Sequence, residues 1–217
     1  MKKTKILLSL SIIALLALGS DEVFSASQTT IKLQGQIVPS ACDIAMDNPG
    51  GIKLTLSSAQ YSDSASGSFK LSNNKLGLLI HCQKATSFAV RSRDIALNAG
   101  NVQLPGEDPH NIFSLGMTGN GHPIGGYFAD IDHEHSWVDG KPIANFLTSE
   151  NEGLSWKSGQ SKLSPSGDNI YSWGSQTTPE SAHQVALNIV IKPFIFNVSR
   201  TDAINIEGMT TFELVYL

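Results

Sequence analysis

The chain has 217 residues, with 15 basic and 19 acidic side chains, a net charge of -4, and 41% hydrophobic and 7% aromatic residues. This acidic balance excludes nucleic acid as a partner, because binding it requires a basic surface. The length is ample for one large all-β domain with a buried core.

Lys2, Lys3 and Lys5 precede the apolar run Ile6 to Leu18, which is too short to span a membrane permanently. Residues 1–25 therefore read as a signal peptide, with cleavage after Ser25 preferred to cleavage after Gly19. Its removal leaves 12 basic and 17 acidic residues. A strand follows at Ile31 to Val38, where apolar residues alternate, and it leads to Cys42. Ile52 to Leu56 alternates as well, and Leu76 to Cys82 is a further apolar strand ending on the second cysteine. Because an exported protein meets an oxidising compartment, a Cys42–Cys82 disulfide is expected. Closing a loop of about 40 residues is worth about 4 kcal/mol in the chain-entropy model.

Ser87 to Ser92 and Gly125 to Ile131 continue the strand pattern, and apolar residues recur every second position with almost no helical period. Asp130, Asp132, His133 and His135 place oxygen and imidazole donors within six positions, the one cluster of metal-ligand residue types. The preferred reading is a solvated hairpin loop without metal, since no cysteine or distant fourth ligand accompanies it. Trp137 to Ile143 predicts a tight hairpin turning on Asp139-Gly140. Asn145 to Glu180, rich in Ser, Gly and Asn, predicts a long decorated loop with short strands. Trp137, Trp156 and Trp173 could line a sugar-binding face, although such residues more often belong to a core. Gln184 to Val198 and Met209 to Leu217 complete the series of strands, and Asn197-Val-Ser199 matches a glycosylation sequon read as chance. On the last strand Phe212, Leu214 and Tyr216 share one face, while Thr211, Glu213 and Val215 share the other. An apolar edge of this kind calls for something to cover it.

No nucleophile elbow, phosphate-binding glycine loop or helix-borne histidine pair is present in the sequence, so no enzymatic activity and no cofactor is expected.

The sequence resembles the fimbrial subunits, or pilins, of the bacterial chaperone-usher pathway, in a long fimbrial-like branch. The resemblance rests on Gly35-x-Ile37-Val38-x-x-x-Cys42 with Cys82 at a strand end, and on Ile124 to Ile131 followed by Gly140-Lys-Pro-Ile143. Ala186 to Val198 and the terminal strand with Gly208 and Tyr216 complete it. It implies an all-β, immunoglobulin-like β-sandwich lacking its last strand, over a single domain at residues 26–217 with a long insertion around 92–180. It implies a structural subunit of a surface fimbria, exported through the periplasm, assembled by donor-strand exchange and contributing to cell adhesion. Its partners would be a periplasmic chaperone, an outer-membrane usher, other fimbrial subunits and a possible host glycan. Phe212, Leu214 and Tyr216 would line the groove that the chaperone or donor strand fills. Ala26 to Thr30 offers no apolar alternation for a donor strand, which favours a minor or terminal subunit. The alternative is a stand-alone secreted or periplasmic β-sandwich that binds carbohydrate or metal.

Overall fold

The computed structural model describes residues 41–54, 68–96, 101–196 and 206–217. The signal peptide, the strand Ile31 to Val38 and the Asn197 sequon lie outside them. In chain order the strands are β1 (Cys42–Met46), β2 (Ser68–Lys70), β3 (Asn74–Thr86), β4 (Phe88–Asp94), β5 (Phe113–Ser114), β6 (Gly125–Ile131) and β7 (Trp137–Val138). They continue with β8 (Lys141–Pro142), β9 (Phe146–Ser149), β10 (Lys157–Ser158), β11 (Ser166–Ser175), β12 (Thr178–Pro179), β13 (Ala182–Phe196) and β14 (Thr210–Tyr216). Among the described residues the only helical pieces are two 3-10 turns, Pro109–Asn111 and His133–His135.

These strands form an all-β sandwich of two antiparallel sheets. The first runs β1-β3-β13-β6-β5, with β2 and β7 also on β13 and β8 on β7. The second runs β10-β9-β11-β4-β14, with β12 on β11. The core lies where the period-2 pattern directs it. Leu76, Leu78, Ile80 and Cys82 of β3 and Val185, Leu187, Ile189 and Ile191 of β13 face Phe88 and Val90 of β4 and Tyr171 and Trp173 of β11. Phe88 meets Trp173 edge to face at 4.9 Å. Each such side chain contributes about 1.5–3 kcal/mol by leaving water.

Cys42 stands opposite Cys82 in the β1–β3 register, and the two form a disulfide with their Cα atoms 4.0 Å apart. The hairpin β7–β8 turns on Asp139 and Gly140, both at positive φ (47° and 75°), as a primed two-residue turn requires. A different demand acts at Gly125, where a Cβ would sit 2.2 Å from the Phe194 carbonyl oxygen. Only a residue without a side chain lets β6 lie this close to β13.

Two expectations need correction. Of Ile52 to Leu56, expected as a strand, Thr55 and Leu56 lie outside the described residues, and Ile52 to Leu54 join no strand among the described residues, although Ile52 and Leu54 pack on the core. Asn145 to Glu180 is expected as a long decorated loop with short strands; it does supply the short β9, β10 and β12, but also the ten-residue β11, which is central in the second sheet. The reason is burial on both faces. Ile170 and Ser172 of β11 and Leu147 and Ser149 of β9 point away from the core and are still buried. Above them the turn at Gly153 approaches Ile170, Trp156 and Leu217. A strand covered twice shows no polar-apolar alternation, and its small polar residues bond to backbone, as Ser172 does to the Phe88 carbonyl at 2.9 Å. The 92–180 region contributes β5, β6, β9 and β11 to the two sheets.

Candidate functional site: the groove between two free sheet edges

β14 pairs with β4 on one side, and no described strand lies on its other side. Which backbone groups face that free edge follows from the ladder. The Ile95 amide donates to the Met209 carbonyl at 2.9 Å and the Leu217 amide to the Ser87 carbonyl at 3.1 Å. Odd-numbered residues therefore bond to β4, because antiparallel pairs alternate between bonded and non-bonded positions. The N–H and C=O groups of Thr210, Phe212, Leu214 and Tyr216 consequently point outward.

Among the described residues β1 is the matching edge of the first sheet. The Gln83 amide donates to the Ala41 carbonyl at 3.3 Å and the Asp47 amide to the Gly77 carbonyl at 2.9 Å, so here the even-numbered residues face outward. One of these groups has a partner: the Cys42 amide donates to the Tyr216 hydroxyl at 3.1 Å. That bond ties the two edges together beside the disulfide. At the other end the Glu207 amide donates to the Leu115 carbonyl at 3.1 Å, so the segment entering β14 is tied to the chain just after β5.

Between these ties lies a cavity of about 780 Å³. Its walls are Met46, Ile52 and Leu54 on one side and Ile206 and Phe212 on the other, over a floor that includes Leu76, Tyr127 and Ile191. Of the expected groove residues, Phe212 lines this cavity, and Leu214 packs on the core beside it. Tyr216 does not line it; the residue is 53% exposed and its hydroxyl accepts from the Cys42 amide. Sequence reasoning did not assign Met46, Ile52, Leu54, Ile206 or the floor to the groove. For Ile52 and Leu54 the signal was present as alternation; for Tyr127, Leu76 and Ile191 nothing local distinguishes groove floor from ordinary core.

The floor carries one polar pair. The Tyr127 and Thr210 hydroxyls are 2.5 Å apart, and Tyr127 stacks on Phe113 at 5.1 Å. Burial, above all, pushes the Tyr127 hydroxyl up to about 12, and the Asp94 carboxylate acts in the same direction against the Thr210 bond. The phenol stays neutral and can serve as a hydrogen-bonding lining of an apolar groove. Asp94, buried at the end of β4, accepts from the amides of Ser114 at 2.7 Å and Ala96 at 3.0 Å. Burial raises its carboxyl above the ordinary range, and those two bonds oppose the shift.

The Asp130 to His135 cluster is arranged otherwise. Asp132 Oδ2 lies 2.9 Å from His135 Nδ1 and 3.3 Å from Lys75 Nζ, and the His135 bond chiefly holds its carboxyl below the usual range. Asp130 pairs with Lys192, while His133 sets its ring edge-on to Phe146 at 4.5 Å. Among the described residues no three His, Cys, Asp or Glu side chains converge on one metal-sized point. The tryptophans do not form one face. Trp173 is in the core, Trp156 donates to the Gly153 carbonyl at 3.1 Å, and Trp137 is exposed on the first sheet.

No protein-family model matches the chain. No curated protein matches it. Among solved structures the chain is similar, at 12% identity and a TM-score of 0.34, to one described as a chaperone-tip adhesin complex in CFA/I fimbriae biogenesis. The match covers 81% of this chain and 43% of that one, so this chain spans less than half the length of the structure it resembles.

Proposed function

We propose that the chain is a structural, non-enzymatic subunit of a bacterial surface fimbria, a minor or terminal one. Its groove would accept an extended strand from a periplasmic chaperone and later from another subunit at an outer-membrane usher. One observation carries this reading: β14 presents the outward backbone groups of Thr210, Phe212, Leu214 and Tyr216 along the rim of an apolar groove of about 780 Å³. An inserted strand satisfies both features at once. Its backbone pairs with the free edge, each bond contributing about 0.5–1.5 kcal/mol net, and its alternate side chains replace water over Phe212, Ile206 and Met46. This is recognition by strand addition. In this reading the sandwich is immunoglobulin-like and incomplete, the 26–217 region is one domain, and the Cys42–Cys82 bridge fixes β1 as one wall of the groove.

The test is thermal melting of the purified protein with and without a synthetic peptide of β14's length carrying isoleucine or valine at alternate positions. A ligand of the folded form at a hundred times its Kd adds about 2.7 kcal/mol, which for a domain of this size raises the Tm by about 5–10 °C. A protein that is already hyperstable and unmoved by any such peptide would overturn the reading.

A further inference from the structure

The outer face of the first sheet is covered over only part of its width. Val102, Ile112 and Phe194, with Phe128 and Phe196 packed against them, form a second small core over the end of β13 and β6. Toward the start of β13 the same face is open. The register places Ala45 of β1 beside Leu79 of β3, Leu79 beside Ala186 of β13, and Ala186 beside Trp137 of β7, in one row across four strands. Leu79 is 46% and Trp137 42% exposed. One row further, about 7 Å along the strands, Asp43, His81 and Gln184 stand side by side on β1, β3 and β13. All three are exposed, and no hydrogen bond or ion pair of the Asp43, His81 or Gln184 side chains, or of the Trp137 indole N–H, occurs among the described residues.

We infer that this platform is a binding site for a neutral hexopyranose. An indole 42% exposed, in register with Ala186 and Leu79, can stack the face of its ring on the C–H side of a pyranose. The adjacent row supplies what sugar hydroxyls need: a carboxylate that accepts, and an imidazole and an amide that both donate and accept. The patch suits a protein partner poorly. Its apolar part is a single row of four residues, a stable interface buries about 1,200 Å² or more, and interface centres are depleted of unpaired charge. The Asp43 carboxylate in the polar row opposes an acidic sugar. This site lies on the sheet face opposite the core and the groove, and it is independent of strand insertion.

Saturation-transfer NMR on the purified exported protein tests it, with the methyl glycosides of glucose, galactose, mannose and N-acetylglucosamine as probes and N-acetylneuraminic acid as the acidic comparison. The expected result is transfer to at least one neutral glycoside with a Kd of about 1 mM, usual for so small and open a contact, and none to the acidic sugar. Trp137→Ala should remove it, and His81→Ala and Gln184→Ala should each weaken it at least about threefold, the increment of one lost hydrogen bond. Circular dichroism establishes that each variant is folded. Should Trp137→Ala not fold, the two surface variants decide the matter. Peptide-induced stabilisation of the Gln184→Ala protein should equal that of the parent, so failure here is distinguishable from failure of the groove. Absence of transfer to every neutral glycoside, or transfer undiminished in the variants, overturns the assignment. A dimer in sedimentation that Trp137→Ala dissolves also overturns it and assigns the row to a second copy of the chain.

Discussion

Phe212→Ser separates a groove from an ordinary core. Phe212 is half-buried in the chain alone and packs on the core while lining the cavity. Complete burial of such a ring is worth about 1.5–3 kcal/mol. About half of that is already realised without a partner, so the substitution should cost the free protein about 1–1.5 kcal/mol. The other half is realised only when an inserted strand covers the ring, and its loss should appear as about 1–1.5 kcal/mol of weaker peptide binding, or roughly tenfold in Kd. At a peptide concentration a hundred times the parent Kd, the stabilisation then falls from about 2.7 to about 1.4 kcal/mol. The assay is thermal melting across a peptide titration, with Val215→Ser as the comparison. Val215 belongs to the same strand and neighbours Ala89 in the ladder, but its side chain lies on the face turned away from the groove. It should lower the Tm of the free protein without changing the Kd. Equal Kd values for the parent and Phe212→Ser would refute the reasoning, since the ring would then gain nothing from the inserted strand.

Cys42→Ser should cost about 2–5 kcal/mol in denaturant unfolding, and two alkylatable thiols in the intact mass of the parent protein would contradict the bridge. Asp94 should make stability fall as pH rises. Its folded carboxyl titrates above the ordinary value of 3.8, so the native state holds the proton more tightly than the unfolded chain. The loss begins near 3.8 and is complete above the raised value; Asp94→Asn should flatten this limb in pH-dependent unfolding. Gly125→Ala should abolish folding or cost several kcal/mol, because its Cβ would fall 2.2 Å from a backbone oxygen that cannot move aside; an unchanged Tm would contradict the close approach of β6 and β13. Zinc titration by calorimetry should show no submicromolar site at Asp130 to His135; such a site, lost in His133→Ala, would contradict the reading of these residues as occupied by Lys75, Lys192 and Phe146.

The parts of the fold legible in the sequence are those whose two faces differ. β3 and β13 each separate core from solvent for most of their length, so their alternation marks them within about two residues at most ends, and Asp139-Gly140 announces its turn through backbone chemistry alone. β11 was illegible for the opposite reason. Its outward face is covered by the turn around Gly153, and Ser-Gly-Asp-Asn-Ile-Tyr-Ser-Trp-Gly-Ser, read without that cover, has the composition of a loop. Ile52 and Leu54 mislead in another way: an apolar residue at every second position reports an extended chain with one side buried, and it reports nothing about whether a neighbouring strand supplies hydrogen bonds.

The groove adds a further level of difficulty, because it belongs to no single segment. Its walls come from residues around 46–54 and 206–212, and its floor from β3, β6 and β13. Phe212 could be named from sequence because it sits on an apolar face near an edge, but Tyr216, assigned to the same face, instead spends its hydroxyl on the Cys42 amide. That difference has a physical consequence for any strand that enters. Cys42 is the outward-facing residue of β1 nearest the bridge, and its amide is already satisfied, whereas the outward groups of Ile44 and Met46 have no partner among the described residues. In the proposed reading an inserted strand would find outward backbone groups along Thr210 to Tyr216, and beside them the tie from the Cys42 amide to the Tyr216 hydroxyl next to the Cys42–Cys82 bridge. Of the three residues expected to line the groove, Phe212 does so, while the Tyr216 hydroxyl and the disulfide would mark one end of it.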